Sequence, residues 1–271
     1  FLIDLNILRL LASSAKVSSS DVVLEVGGGT GSLTSLMAQA AAEVVSVEID
    51  AQLHQLAREE LSKYDNVTIL LQDALRNKNN LDDRVLEAVT AKLAAGENRQ
   101  FKLVANLPYS IATPIISNLL CTELTPVSMT VTIQKELGDR INAKPRTKDY
   151  SALSIWVQSQ CEVEVVRILP PTCFWPQPKV HSAILHIVPK PELRAKVPDL
   201  PFFHSFVRAM FFHRRKYLRS VISSAYKSQI DKPAADGILN SMGLGQETRA
   251  EELNVETMIA LCERVKAALN G

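Results

Sequence analysis

The chain has 271 residues, of which 46% are hydrophobic and 22% charged; this is globular composition and excludes a disordered or fibrous protein. The length suffices for one sizeable domain and a smaller one, and no apolar run approaches the ~18–20 residues of a membrane span. A formal net charge of +1 leaves nucleic-acid binding to be decided by how the charges are distributed, not by their sum.

In chain order, runs rich in β-branched residues at 22–26, 44–49, 67–71, 101–105 and 129–133 alternate with amphipathic stretches such as 32–42 and 51–61. Near-continuous apolar strands separated by helices predict an α/β fold with a mostly parallel sheet covered on both faces. Residues 76–100 form a polar excursion in which Leu81, Val85, Ala88, Val89 and Leu93 fall at helical spacing, which predicts a surface helix. Two further strands, at about 163–169 and 181–188, bring the count to seven and are joined by a proline-rich loop from Pro170 to Pro178. With no long helix between them, they fit an antiparallel pair closing the sheet. Beyond Pro189 the texture changes. Pro189, Pro191, Pro198 and Pro201 mark a linker, and helical patterns at 202–210, 214–227, 234–242 and 255–269 predict a small all-α domain. The expected division is therefore 1–190 and 191–271.

Cys121, Cys161, Cys173 and Cys262 include no C-x-x-C pair and no His at metal-ligand spacing. The expectation is reduced thiols in an intracellular, cytoplasmic protein without a metal site. Because the chain opens at Phe1 and not at Met, further residues are expected upstream.

The first predicted strand runs into Glu25-Val26-Gly27-Gly28-Gly29-Thr30-Gly31, and a helix opens at Ser32. A glycine turn there lets a ligand approach the backbone at a helix N-terminus. It is not a phosphate loop, since no Gly-Lys-Ser/Thr follows, and it is not the dinucleotide fingerprint, whose third glycine is replaced by Ser32. The second strand ends at Glu48-Ile49, 17 residues past Gly31, where a carboxylate can accept from both hydroxyls of a ribose. The third ends in Gln72-Asp73-Ala74, where a carboxylate can accept from an exocyclic adenine amine. A tight turn and helix caps explain each feature taken alone. All three in register point to an adenosine ligand without a pyrophosphate.

The fourth strand ends in Asn106-Leu107-Pro108-Tyr109, which resembles motif IV of the KsgA-like family of rRNA adenine N6,N6-dimethyltransferases. Phe1-Leu2-Ile3-Asp4 is similar to the tail of that family's Gln-Asn-Phe-Leu-x-Asp motif near the cofactor. Gln134-Lys135-Glu136 with Arg140, and Tyr150 with Leu153-Ser154, add to the likeness. Phe174-Trp175-Pro176-Gln177-Pro178-Lys179-Val180-His181-Ser182-Ala183 matches F-x-P-x-P-K-V-x-S-A. The resemblance runs from Phe1 to about residue 253 and departs at Ser151, where Gly is usual, and in the longer 76–100 excursion. It implies a Rossmann-like class I methyltransferase fold and S-adenosyl-L-methionine as cofactor. Leu2, Glu25, Gly27, Gly29, Gly31, Glu48, Ile49, Asp73, Ala74 and Asn106 would contact that cofactor, and Asn106, Leu107, Pro108, Tyr109 and Phe174 would hold a flipped adenine.

The chemistry accounts for these residue types. Adenine N6 is a poor nucleophile because its lone pair is delocalised into the ring, whereas a sulfonium methyl is a strong electrophile, so no strong base is needed. The need is for acceptors that turn the amine's lone pair toward the methyl group, such as the Asn106 amide oxygen and the carbonyl of Leu107 or Pro108. Proline stiffens the turn, and Tyr109 and Phe174 offer faces for the base. An Asp would do similar work, and a plain strand-ending turn is the simpler alternative.

Residues 200–230 contain no acid but carry Arg208, Arg214, Arg215, Lys216, Arg219 and Lys227 among Phe211, Phe212 and Tyr217. A second basic run holds Lys135, Arg140, Lys144, Arg146 and Lys148. One-sign segments focus a field on phosphates, so Lys135, Arg140, Arg208, Arg214, Arg215, Lys216 and Arg219 are the RNA-binding candidates; a solvated helix face is the plainer alternative. The stretch 211–219 resembles a C-terminal helix of the family. The resemblance implies a monomer that methylates small-subunit ribosomal RNA twice at adenine N6 during ribosome maturation, with the precursor subunit as partner. Dimethylation of large-subunit rRNA in the macrolide-resistance manner and a non-enzymatic RNA-binding or transcription cofactor are the rivals. A small-molecule or DNA methyltransferase would leave the helical domain without a task.

Overall fold

The computed structural model describes residues 1–270. The strands are β1 (Asp21–Val26), β2 (Glu43–Glu48), β3 (Val67–Leu71), β4 (Leu75–Asn77), β5 (Asn80–Leu81), β6 (Gln100–Asn106), β7 (Ser128–Gln134), β8 (Cys161–Leu169) and β9 (Ser182–Pro189). The helices are α1 (Leu5–Ser14), α2 (Ser32–Ala38), α3 (Ala51–Leu61), α4 (Asp83–Ala94), α5 (Ala112–Leu119), α6 (Lys135–Ile141), α7 (Ala152–Gln158), α8 (Pro191–Arg194), α9 (Leu200–Phe212), α10 (Leu218–Ala225), α11 (Lys232–Ser241) and α12 (Val255–Asn270). Among the described residues no helix is long and apolar enough to cross a membrane.

The chain forms two compact units. One comprises Phe1–Gly138 with Glu162–Pro189; the other comprises Asp139–Cys161 with the chain from Lys190 onward. The segment Asp139–Cys161, which the linear reading placed in the first domain, thus packs with the helices of the second.

In the first unit, seven strands form one sheet in the order β3-β2-β1-β6-β7-β9-β8. Strands β1, β2, β3, β6 and β7 run parallel, and β9 pairs antiparallel with β7. Every position of β1 is buried, as a strand covered on both faces requires, and Val22, Val23 and Leu24 are wholly inaccessible. The chain moves outward from β1 to β2 and β3, then returns to place β6 on β1's other side. This reversal puts the C-terminal ends of β1 and β6 next to each other, the point where open α/β sheets bind ligands. Aspartates set the helix starts: Asp4 accepts from the backbone N–H groups of Asn6 and Ile7, and Asp50 from those of Gln52 and Leu53.

Residues 76–100 differ in part from the expected helix. A short antiparallel hairpin, β4 with β5, comes first, and α4 begins only after Asp82 caps it. Leu81 is buried in the hairpin, while Val85 and Val89 seat α4 on β1, β2 and β6.

The second unit is helical. Its core gathers Trp156 of α7 against Phe203 and His204 of α9, at ring-centroid distances of 6.4 and 4.5 Å. Buried Tyr150 donates from its hydroxyl to the Leu253 carbonyl at 2.8 Å. The helix expected at 214–227 is shortened to α10, because α9 ends at Phe212 and residues 213–217 form a turn. Within that turn the Arg214 guanidinium donates to the carbonyls of Thr147 and Lys148 and pairs with Glu251.

Candidate active site

A cavity of about 540 Å³ opens at the C-terminal ends of β1, β2, β3 and β6. Gly27 and Gly29 form its floor, Glu48 and Ile49 come from the end of β2, and Gln72, Asp73 and Ala74 follow β3. Asn106, Leu107, Pro108 and Tyr109 leave β6 on the opposite wall, and Phe1, Phe174, Pro176 and Pro178 close one side.

Gly27 sits at φ +81°, and a Cβ there would lie 3.0 Å from Pro108 Cδ. The glycine turn and the Asn-Leu-Pro-Tyr turn therefore touch, and only a residue without a side chain permits it. Glu48 is almost fully buried, and its carboxylate is fixed at both oxygens: the Gly29 N–H donates to Oε2 at 2.8 Å and the Asp50 N–H to Oε1 at 2.9 Å. Each oxygen retains lone-pair capacity, so the group can still accept from a diol in the cavity. Asp73 accepts from the Leu75 N–H at 2.9 Å.

Asn106 has a buried Oδ1 with no hydrogen-bond partner. An unsatisfied buried acceptor costs about 1–3 kcal/mol, and this one belongs to a residue that lines the cavity. Tyr109 is held from β9, its hydroxyl sharing a hydrogen bond of 2.6 Å with Ser182 Oγ. Phe174 is 6% exposed and is stitched to the start of the chain: Leu2 and Phe174 bridge antiparallel, and the Ile3 N–H donates to the Cys173 carbonyl at 2.9 Å.

All five residues expected to hold the adenine line this one cavity, as do Gly27, Gly29, Glu48, Ile49, Asp73, Ala74 and Asn106 of the cofactor set. Three others of that set do not. Leu2 is buried in the hydrophobic core, and its neighbour Phe1 faces the cavity instead, because successive side chains of an extended segment point opposite ways. Gly31 caps α2 with φ +86° and faces Leu61 of α3. Glu25 lies behind the turn, 2% exposed, accepting from the hydroxyls of Thr34 and Ser46. Burial pushes its pKa up to about 7 despite those two donors, with Glu48 nearby adding to the rise. Leu53 and Ile111 also line the cavity and carried no motif; Leu53 could have been found one turn into the helix that Asp50 caps.

The basic candidates are spread over both units. In the first, Lys135 opens α6 and is half-buried. In the second, Arg140 is half-buried near the end of α6, and Arg208 is exposed on α9. Arg215 and Lys216 stand exposed in the turn before α10. Arg214 and Arg219 are structural ties: Arg214 grips the 147–148 backbone, and Arg219 pairs with Asp236 at 2.6 Å.

The model of the family described as ribosomal RNA adenine dimethylase matches residues 1–261. A ribosomal RNA small subunit methyltransferase A from Clostridium acetobutylicum is 37% identical over 266 residues, covering 98% of this chain and 91% of the relative. One of the same name from Listeria innocua is 40% identical over 258 residues, covering 94% and 84%. Among solved structures, a dimethyladenosine transferase from Plasmodium falciparum shares the fold at TM-score 0.79 and 24% identity, covering 99% of this chain and 98% of that one. The 23S rRNA methyltransferase ErmE is similar at TM-score 0.66 and 26% identity, covering 98% and 99%. Sequence, sheet order and the motif-lined cavity agree: the chain belongs to the ribosomal RNA adenine dimethylase family.

Proposed function

We propose that the protein transfers methyl groups from S-adenosyl-L-methionine to N6 of adenine in small-subunit ribosomal RNA, twice per base, with a precursor of the small subunit as its partner. The observation that carries this reading is the unpaired, buried Asn106 Oδ1 at the wall of a cavity bounded by the glycine turn.

The residues present fit the cofactor. Glu48 offers carboxylate oxygens to a ribose, Asp73 and Ala74 form the side where an adenine would lie, and Gly27 and Gly29 line the cavity with bare backbone. When bound, S-adenosyl-L-methionine supplies a methyl group activated by a positively charged sulfur. The chain's own part is orientation. Asn106 Oδ1 accepts a hydrogen bond from the target amine and rotates its lone pair out of conjugation with the ring. Tyr109, steadied by Ser182, and Phe174, steadied by Leu2, supply aromatic surface for the extruded base. No side chain has to act as a strong base, since the amine becomes acidic as it is alkylated and its proton can leave to water. A second transfer needs only that the monomethylated amine still donate one N–H to Asn106.

In the second unit the exposed Arg208, Arg215 and Lys216, with half-buried Arg140, are the candidates to contact RNA phosphates. The relatives at 37–40% identity carry the small-subunit name, which favours that substrate over the large-subunit reading suggested by the likeness to ErmE. The test is labelled S-adenosylmethionine with immature small subunits, large subunits and free RNA, followed by nucleoside analysis. Dimethyladenosine in the small-subunit RNA is expected. Asn106→Ala should lower the transfer rate by about 10²–10³-fold while RNA binding persists. Equal labelling of both subunits, or an active Asn106→Ala, would refute the assignment.

A further inference from the structure

Trp175 lies between two residues of the cavity wall, Phe174 and Pro176, yet it does not line the cavity. Trp175 is 65% exposed and, among the described residues, makes no aromatic pair, whereas the chain's other tryptophan, Trp156, is 1% exposed. The backbone beneath it is fixed on both sides. The Trp175 N–H donates to the Phe1 carbonyl at 2.8 Å, and the Phe1 nitrogen donates to the Trp175 carbonyl at 2.6 Å. With Leu2 bridged to Phe174, a short antiparallel ladder holds this turn in place. Phe1 at 53% and Val180 at 44% leave further apolar surface exposed in the same segments, and Lys179 is exposed beside Val180.

A large flat ring kept in water loses hydrophobic free energy, and here the backbone holds it where a partner would meet it already ordered. The partner is constrained by what the cavity takes. A base extruded from a strand leaves its neighbours unstacked, each with an uncovered π face, and that face must come to the rim of the pocket that accepts the extruded base. An indole stacks on any base, and a lysine nearby suits the phosphate that follows it.

We propose that Trp175 is a stacking platform for the nucleotide adjacent to the target adenine, a positioning residue that helps to hold the target base extruded. This rests on the RNA-adenine reading above. The face it takes is that of a nucleobase, with no preference among the four. Stacking of this kind is worth a factor of roughly ten to a hundred in binding per base.

The experiment uses the full chain as wild type, Trp175→Ala and Trp175→Phe, with immature small subunits and with a stem-loop RNA carrying the mapped target adenine. A second RNA has an abasic residue at the nucleotide on either side. Trp175→Ala should raise KM for RNA about ten- to a hundredfold, with kcat within a few-fold and cofactor affinity unchanged; Trp175→Phe should recover most of the loss. One of the abasic positions should cost the wild type the same factor and cost Trp175→Ala nothing. RNA should quench the wild-type indole emission and leave that of Trp175→Phe, which reports Trp156 alone, unchanged. An unaltered KM in Trp175→Ala, an additive abasic effect, or a loss of cofactor binding in Trp175→Ala would overturn the proposal. Absence of any transfer by the wild type would instead overturn the function on which it rests.

Discussion

Replacing Glu25 by Gln tests the physics of the floor beneath the glycine turn. Glu25 is 2% exposed, and burial lifts its pKa from the usual 4.5 to about 7. Below pH 4.5 both folded and unfolded chains carry the proton, and the group contributes nothing to the pH dependence. Between 4.5 and about 7 the unfolded chain releases the proton while the folded chain keeps it, so stability falls as pH rises. Above about 7 both forms are ionised and the loss levels off. At roughly 1.36 kcal/mol per pH unit the full loss is about 3 kcal/mol, of which about 2 kcal/mol falls between pH 5.5 and 8. Gln cannot ionise, and its amide oxygen can still accept from Thr34 and Ser46. Glu25→Gln should therefore gain on the wild type by about 2 kcal/mol as pH goes from 5.5 to 8, or roughly 4–8 °C in Tm for a chain of this size. Thermal and urea unfolding at the two pH values read this directly. The same pH slope in variant and wild type would refute the reasoning, because Glu25 would then be ionised in the folded protein at an ordinary pKa.

Other substitutions separate holding from binding. Glu48→Ala removes the acceptor for the Gly29 and Asp50 N–H groups as well as the expected ribose contact. Cofactor affinity measured by calorimetry should fall about ten- to a hundredfold, with RNA affinity unchanged. Arg214→Ala should destabilise the helical unit by about 1–2 kcal/mol in denaturant melts, since it frees Glu251 and two backbone carbonyls. Arg215→Ala should leave the melt alone but weaken RNA binding and reduce its salt slope by about 1. Equal effects of the two arginine variants on stability and on salt dependence would contradict the division between structural and phosphate-facing cations.

The linear order of the chain was sufficient for the seven strands of the main sheet, the glycine turn and the Asn-Leu-Pro-Tyr wall, because these depend on local rules; it did not show the β4–β5 hairpin. Buried parallel strands must be apolar along their whole length, a left-handed turn must have glycine, and Asp50 marks its helix start by capping it. That the strand ends meet in one cavity also follows once the sheet order reverses between β1 and β6. What only the tertiary structure decided are matters of direction and partner. Leu2 and Phe1 are adjacent in sequence, and which one faces the cavity was set by the pairing of that strand with 173–175. Glu25 resembled a ligand contact because it precedes the glycines, but Thr34 and Ser46, nine and twenty-one residues away, draw it into the core. Arg214 and Arg219 looked like free cations in an acid-free segment; their counter-charges, Glu251 and Asp236, lie outside that segment and reach them only through folding. Periodicity and composition register what a residue is, whereas a salt bridge or a buried hydrogen bond depends on what the fold brings to it from elsewhere in the chain.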